Sequence, residues 1–339
     1  MDTQSTNLND SSFSPAISTP AEALLLLDRP ICHIKKIIQI ELTEHTYLPK
    51  VLSPRSDWVA SVATPAFLAF KEKYQIGQKG IDDFLTIGTG SGIDALAAIE
   101  VLTPKHITIT DLHKSVVDTA IKNIRTNTST LNSIEIDGFV GNLATPLLQI
   151  DRKYDLIYEN LPNIPLIDGV DLFEGQNSSS FIQPTEKDLP ETVKTDLLEL
   201  HYMFLNQAHN LLKNNGRILC SIGSRVPIKS ILEMVKQANY IPNIRLYTWK
   251  IQSEPAEVVG SYAEHQRRGL GPFHFYPIEI LENTFSGLSS KAATANAFEI
   301  EQKLKPYAID AETSIALVNK GKRLGHTVIV VEATLPNNS

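Results

Sequence analysis

Three glycines at alternate positions, Gly88, Gly90 and Gly92, sit directly after the apolar run Phe84-Leu85-Thr86-Ile87. Glycine at that spacing lets a chain turn tightly from strand to helix and lets a ligand approach the backbone closely. With Thr89 they read as a cofactor loop of G-x-G-x-G form, distinct from the dinucleotide pattern G-x-G-x-x-G. Asp111 closes the next apolar run, Ile107-Thr108-Ile109-Thr110, where a carboxylate can accept hydrogen bonds from ribose hydroxyls. After a third run, Ile134 to Val140, comes Gly141-Asn142-Leu143, whose Asn142 amide could meet an adenine edge. Leu112 and Leu143 flank these polar groups. The pattern calls for a nucleoside-type cofactor, and spacing alone leaves a nicotinamide cofactor and an oxidoreductase open.

A fourth run ends in Tyr158-Glu159-Asn160-Leu161-Pro162-Asn163-Ile164-Pro165. This stretch resembles the fourth motif of the class I S-adenosyl-L-methionine-dependent methyltransferases that act on planar nitrogens. It looks most like that of the protein-glutamine N-methyltransferases of peptide release factors, which carry Asn-Pro-Pro-Tyr there. Ser53-Pro54-Arg55 is similar to that family's Pro-Arg element, and Gly141-Asn142-Leu143 to its Gly-Asp-Leu stretch. The resemblance, over residues 50–225, implies S-adenosyl-L-methionine as cofactor. It implies that Asn160 and the Leu161 carbonyl hold the acceptor, with Pro162 shaping the turn and Asn160 also facing the cofactor. It also implies Arg55 and Asn163 as substrate contacts. Asn163 replaces the family's aromatic residue and Asn142 its aspartate, so a small-molecule acceptor is expected ahead of a protein glutamine. A noncatalytic cofactor-binding protein is the alternative from another class.

An acceptor needing deprotonation would require a base, and Glu159, Asp168, His201, His265 and His274 are the candidates. The segment Tyr262 to Tyr276 concentrates His265, Arg267, Arg268, His274 and several aromatics. Arginine forks match carboxylates and phosphates, so His265, Arg267 and Arg268 are expected to clamp an anionic or aromatic substrate.

The elements that must position these groups follow from patterning. Short apolar runs alternating with helix-spaced stretches predict an α/β fold: a doubly wound, mostly parallel seven-stranded sheet of Rossmann-like methyltransferase type. A single long helix is expected from about Glu191 to Lys213, stopped by Asn214-Asn215-Gly216. Further strands are expected at 218–222, 244–249 and 327–331. The expected divisions are a disordered tail over 1–20, rich in Ser, Thr, Asn and Pro, N-terminal helices over 21–75, and the cofactor-binding core over 76–251. An inserted substrate lid then covers 252–325, and the last core strand lies in 326–335.

Bulk properties narrow the classes. The chain has 339 residues, 42% hydrophobic and 20% charged, with net charge -7, which disfavours nucleic acid as a partner. Two distant cysteines, Cys32 and Cys220, give neither a disulfide framework nor metal-ligand spacing, so no metal is expected. The apolar run Ala21–Leu27 is too short to span a bilayer, and a cytoplasmic protein is expected.

Overall fold

A computed structural model describes residues 16–75, 81–129, 134–166, 181–182 and 188–336. Along the chain, strands β1 (Ala16–Pro20) and β2 (Ile37–Glu41) pair as an antiparallel ribbon. The parallel core follows as β3 (Asp83–Ile87), β4 (His106–Asp111), β5 (Glu135–Val140) and β6 (Tyr154–Glu159). A two-residue pair comes next, β7 (Ile164–Pro165) with β8 (Phe181–Ile182). The remaining strands are β9 (Leu212–Ser224), β10 (Ile241–Ile251), β11 (His274–Pro277), β12 (Ile309–Asp310) and β13 (Leu324–Thr334).

The main sheet runs β5-β4-β3-β6-β9-β13-β10. All neighbours from β5 to β9 are parallel, and β13 is inserted antiparallel between β9 and β10. These are the seven expected strands; β11 pairs with the start of β13, and β12 with β11, making a sheet of nine. β3 is the first of these strands along the chain, with β4 and β5 on one side and β6 and β9 on the other. The crevice at the carboxyl ends of β3 and β6 is therefore the switch point where α/β sheets bind ligands. Register aligns those ends: Ile87 pairs with Thr110 on one side and Glu159 on the other, and Glu159 with Cys220.

Each face of the sheet is covered, because strands that are apolar on both faces need two layers over them. On one face the helix Ile93–Leu102, buried at every position, packs with Phe67 and Phe70 of the helix Thr64–Lys73 and with Ile38 and Ile40 of β2. On the other lie Phe204, Met234, Tyr262, Phe273 and Ile300.

Several expected elements differ. Residues 16–20, expected in the tail, form β1. Residues 21–75, expected to be helical, hold the second strand of the β1–β2 ribbon and one substantial helix. The burial of β2 alternates, with Ile38 and Ile40 inward and Ile37 and Gln39 outward, which is a strand period. The expected long helix is two, Glu191–Thr195 and Glu199–Ala208, broken where Leu197 takes a left-handed φ of 53°. Asn214-Asn215-Gly216 lies inside β9 rather than ending a helix, because Gly216 passes so close to Tyr154 that a Cβ would meet its carbonyl at 2.6 Å. Residues 252–325 supply helices, the longest being Pro255–Arg267, and their apolar side chains join the core. Among the described residues no helix is long and apolar enough to cross a membrane.

Candidate functional site

A cavity of about 470 Å³ opens at the switch point. Its floor is the loop after β3. Gly90 and Gly92 adopt φ of 53° and 81°, left-handed values that favour glycine, and a Cβ at Gly92 would crowd the Ala120 carbonyl at 3.2 Å. The amides of Gly88 and Thr89 both donate to the Thr110 carbonyl, at 2.9 and 3.0 Å, which fixes the loop to the end of β4. The Gly90 amide donates to Asp111 Oδ2 at 3.1 Å, and the His113 amide to Oδ1 at 3.4 Å. One backbone donor per oxygen leaves lone pairs on both sides of Asp111 for a vicinal diol. Burial pushes its carboxyl up from the usual range, opposed by the Gly90 amide.

Beneath the loop, Asp94 accepts from Thr89 Oγ1 at 3.2 Å and makes a short hydrogen bond with Thr86. Burial drives its carboxyl up to about 6 despite those donors. Leu143, at φ 53°, turns its carbonyl to accept from Thr110 Oγ1 at 3.3 Å, which leaves Asn142 on the cavity wall beside Asp111 and Leu112. The rings of His45 and His113 stack at 3.9 Å at the same end.

The other end is built on the segment after β6. Asn160, Leu161, Pro162 and Asn163 all line the cavity. Behind them sits a fully buried pair, Glu159 and His201, with His201 Nδ1 2.8 and 2.9 Å from the two carboxylate oxygens. Glu159 Oε2 also accepts from the Leu161 amide at 3.2 Å, so the carboxylate ties strand end to loop. Asn163 Nδ2 donates to the Leu197 carbonyl at 3.2 Å and lies 3.3 Å from His201 Nε2. That arrangement makes Nε2 the acceptor, puts the imidazole proton on Nδ1 facing Glu159, and leaves Asn163 Oδ1 available to the cavity.

Gly88, Thr89, Gly90, Gly92, Asp111, Leu112, Asn142, Leu143 and the segment from Asn160 to Asn163 are thus brought to one cavity. The remaining expected contacts are not. Arg55 stacks its guanidinium on Trp249, 4.9 Å from the ring, and donates to the Trp249 carbonyl, outside the lining. His265 is buried against the Pro165 carbonyl at 2.8 Å. Arg267 and Arg268 are exposed on the last turn of the helix Pro255–Arg267 and just beyond it. Both pair with Glu264, and Arg267 also with Glu312 at 3.6 Å, so the expected cationic clamp is a solvated surface cluster. Of the candidate bases, Glu159 and His201 are bonded to each other, His274 lies on β11 outside the lining, and Asp168 falls outside the described residues. No group of three or more His, Cys, Asp or Glu positioned for a metal occurs among the described residues.

Residues that the sequence reading passed over, Trp58, Arg225, Gln252 and Val258, complete the far wall together with Tyr262, an aromatic of the segment singled out above. Trp58 precedes a wide-turned helical segment, Val59–Ala63, whose first amides are capped by Asp57 Oδ1 at 2.8 and 3.0 Å. The signal for Arg225 was its place directly after a buried strand, where a lone cation is out of keeping with its surroundings.

Comparison with known proteins adds a class to this geometry. Residues 64–171 match the family model for ribosomal protein L11 methyltransferase. Among solved structures, the ribosomal protein L11 methylase of Lactobacillus delbrueckii subsp. bulgaricus is 20% identical, covering 51% of this chain and 67% of its own, with a TM-score of 0.32. The YcgJ protein of Bacillus subtilis is 11% identical, covering 80% of this chain and 98% of its own, with a TM-score of 0.41. Both are partial overlaps at low identity. No curated protein matches the chain. The strand order, the glycine loop with Asp111, and the matched segment across them define an S-adenosylmethionine-dependent methyltransferase. The residues fit that cofactor: a half-buried carboxylate at the end of β4 can accept from ribose hydroxyls, and the loop that turns on left-handed glycines lets a ligand approach its backbone closely.

Proposed function

We propose that the chain methylates a nitrogen of a small-molecule acceptor. The observation that carries this reading is the segment Asn160 to Asn163 lining a cavity of small-ligand size. S-adenosylmethionine supplies a methyl group already activated on a sulfonium, so the protein's task is alignment. Asn160 Oδ1, the Leu161 carbonyl and Asn163 Oδ1 accept from the N–H groups of the attacking nitrogen, whose dipoles strengthen as it gains positive character. Glu159 and His201 act through the loop: their mutual bond and the Leu161 amide hold these acceptors in place. Aligned in this way, a planar amide or aromatic amine needs no strong base.

A second reading, methylation of a protein side chain, is favoured by the match to a ribosomal-protein methyltransferase family model. Incubating the protein with methyl-labelled S-adenosylmethionine and a cell extract separates the two. Label in the small-molecule fraction is expected; label confined to protein would overturn the first reading.

A further inference from the structure

Arg225 follows the last residue of β9 and lines the cavity, yet it is only 5% exposed. Its donors meet neutral groups. Nη1 lies 3.4 Å from the Tyr262 hydroxyl, and Nη2 reaches Gln252 Oε1 at 2.7 Å and His326 Nε2 at 2.9 Å. Nε is buried with no hydrogen-bond partner, and among the described residues Arg225 makes no ion pair. The carboxylate of Asp57, also on the cavity wall, is occupied by the amides of Lys50, Val59 and Ala60. Lys250, a second buried basic residue, packs its Nζ 4.8 Å from the Trp58 ring and, among the described residues, bonds the Ile251 carbonyl and Ser253 Oγ.

A guanidinium does not shed its proton, so Arg225 stays charged. A buried charge without a counter-ion is unfavourable, and neither Lys250 nor His326 beside it supplies a negative charge. Strand order places this charge. Asp111 ends β4, Asn160 follows β6, Arg225 follows β9 and Gln252 follows β10, so Arg225 stands on the side of Asn160 away from Asp111. The Tyr262 ring, 4.9 Å from the guanidinium, gives that end a flat wall.

We propose that Arg225 is the anion-binding group of the acceptor subsite, and that the methyl acceptor is a small molecule bearing a carboxylate or phosphate. The proposal rests on the small-molecule reading above and names its substrate class. The acceptor's nitrogen lies against Asn160 and its anionic group against Arg225, supplying the missing counter-charge and an acceptor for Nε. This role replaces the surface clamp of Arg267 and Arg268.

The test is calorimetric titration of the protein loaded with S-adenosylhomocysteine, using benzoate, phenyl phosphate and the neutral benzamide as probes. At least one anion is expected to bind tenfold or more tighter than benzamide, and the tighter anion tells carboxylate from phosphate. Arg225→Gln is expected to abolish that preference while leaving S-adenosylhomocysteine affinity within threefold, and Arg225→Lys to keep part of it. Benzamide binding as tightly as both anions in the wild-type protein would overturn the proposal without any variant. So would an undiminished preference in Arg225→Gln. A tenfold loss of S-adenosylhomocysteine affinity in that variant would assign the charge to the cofactor's own carboxylate, and the proposal would fall. The labelled-transfer assay separates the two layers. Label on an uncharged or cationic small molecule overturns the anion assignment and leaves small-molecule methylation standing, whereas label confined to protein overturns that wider reading.

Discussion

Replacing His201 with phenylalanine tests whether the buried pair behind the acceptor loop holds that loop in place. Glu159 and His201 are both fully buried, and each carboxylate oxygen lies within 2.9 Å of Nδ1. In His201→Phe the carboxylate keeps the Leu161 amide but loses its charge-assisted donor, and Asn163 Nδ2 loses one of its two acceptors. Removing one partner of a buried pair costs about 3 kcal/mol. At a melting entropy of about 2.1 cal/mol/K per residue, a chain of this size loses about 4 °C in Tm. Urea denaturation of the wild type, His201→Phe, Glu159→Gln and the double variant gives the coupling directly. A coupling of about 2 kcal/mol is expected, since Glu159→Gln removes the carboxylate that accepts the His201 Nδ1 proton. The reasoning is refuted if His201→Phe costs under about 0.5 kcal/mol or the two substitutions add within that margin.

Asp111→Ala removes a carboxylate whose lone pairs face the cavity. It is expected to weaken S-adenosylhomocysteine binding by about 2 kcal/mol, some thirtyfold by calorimetry; an unchanged Kd would remove Asp111 from the ribose site. Asn160→Ala should lower kcat by about a hundredfold with cofactor affinity within threefold, and an unaltered rate would take it out of the alignment role. Burial beside Arg225 pulls Lys250 down to about 7, from 10.5 in an unfolded chain. Between those values the unfolded state binds more protons, so stability attributable to Lys250 should rise as pH goes from 7 to 10. Lys250→Met should lack that rise in urea titrations at each pH, and parallel pH profiles would show that the ammonium is not desolvated.

The cofactor end was legible because it is written in contiguous punctuation. Short apolar runs stop at Gly88, Asp111 and Asn142, and a parallel sheet aligns such stops automatically. The β1–β2 ribbon was lost because Ile37-Ile38-Gln39-Ile40 offers too short an alternation to announce a strand, and pairing with Ala16–Pro20 is what fixes it. The break at Leu197 was invisible because a left-handed leucine carries no compositional sign. The acceptor end failed for a different reason. Arg267 and Arg268 stand out in sequence because they are adjacent, but adjacency on a helix end means solvent and Glu264. Arg225, Gln252 and Tyr262 converge only through tertiary structure, and no spacing rule connects the ends of β9 and β10 to the helix that follows.

β13 lies far along the chain from β9 and β10, yet it is wedged between them. Until it arrives, those two strands present facing edges with unpaired amides and carbonyls, a slot that any passing extended segment can fill. Its insertion also delivers His326, which lies 2.9 Å from Arg225. The glycine loop and Asp111 sit at the ends of β3 and β4, whereas Arg225 and His326 reach the cavity only through β9 and β13. The groups at the methyl-donor end and those at the recipient end are therefore tied to different parts of the sheet. The second therefore hangs on one strand, β13, staying paired with both of its neighbours.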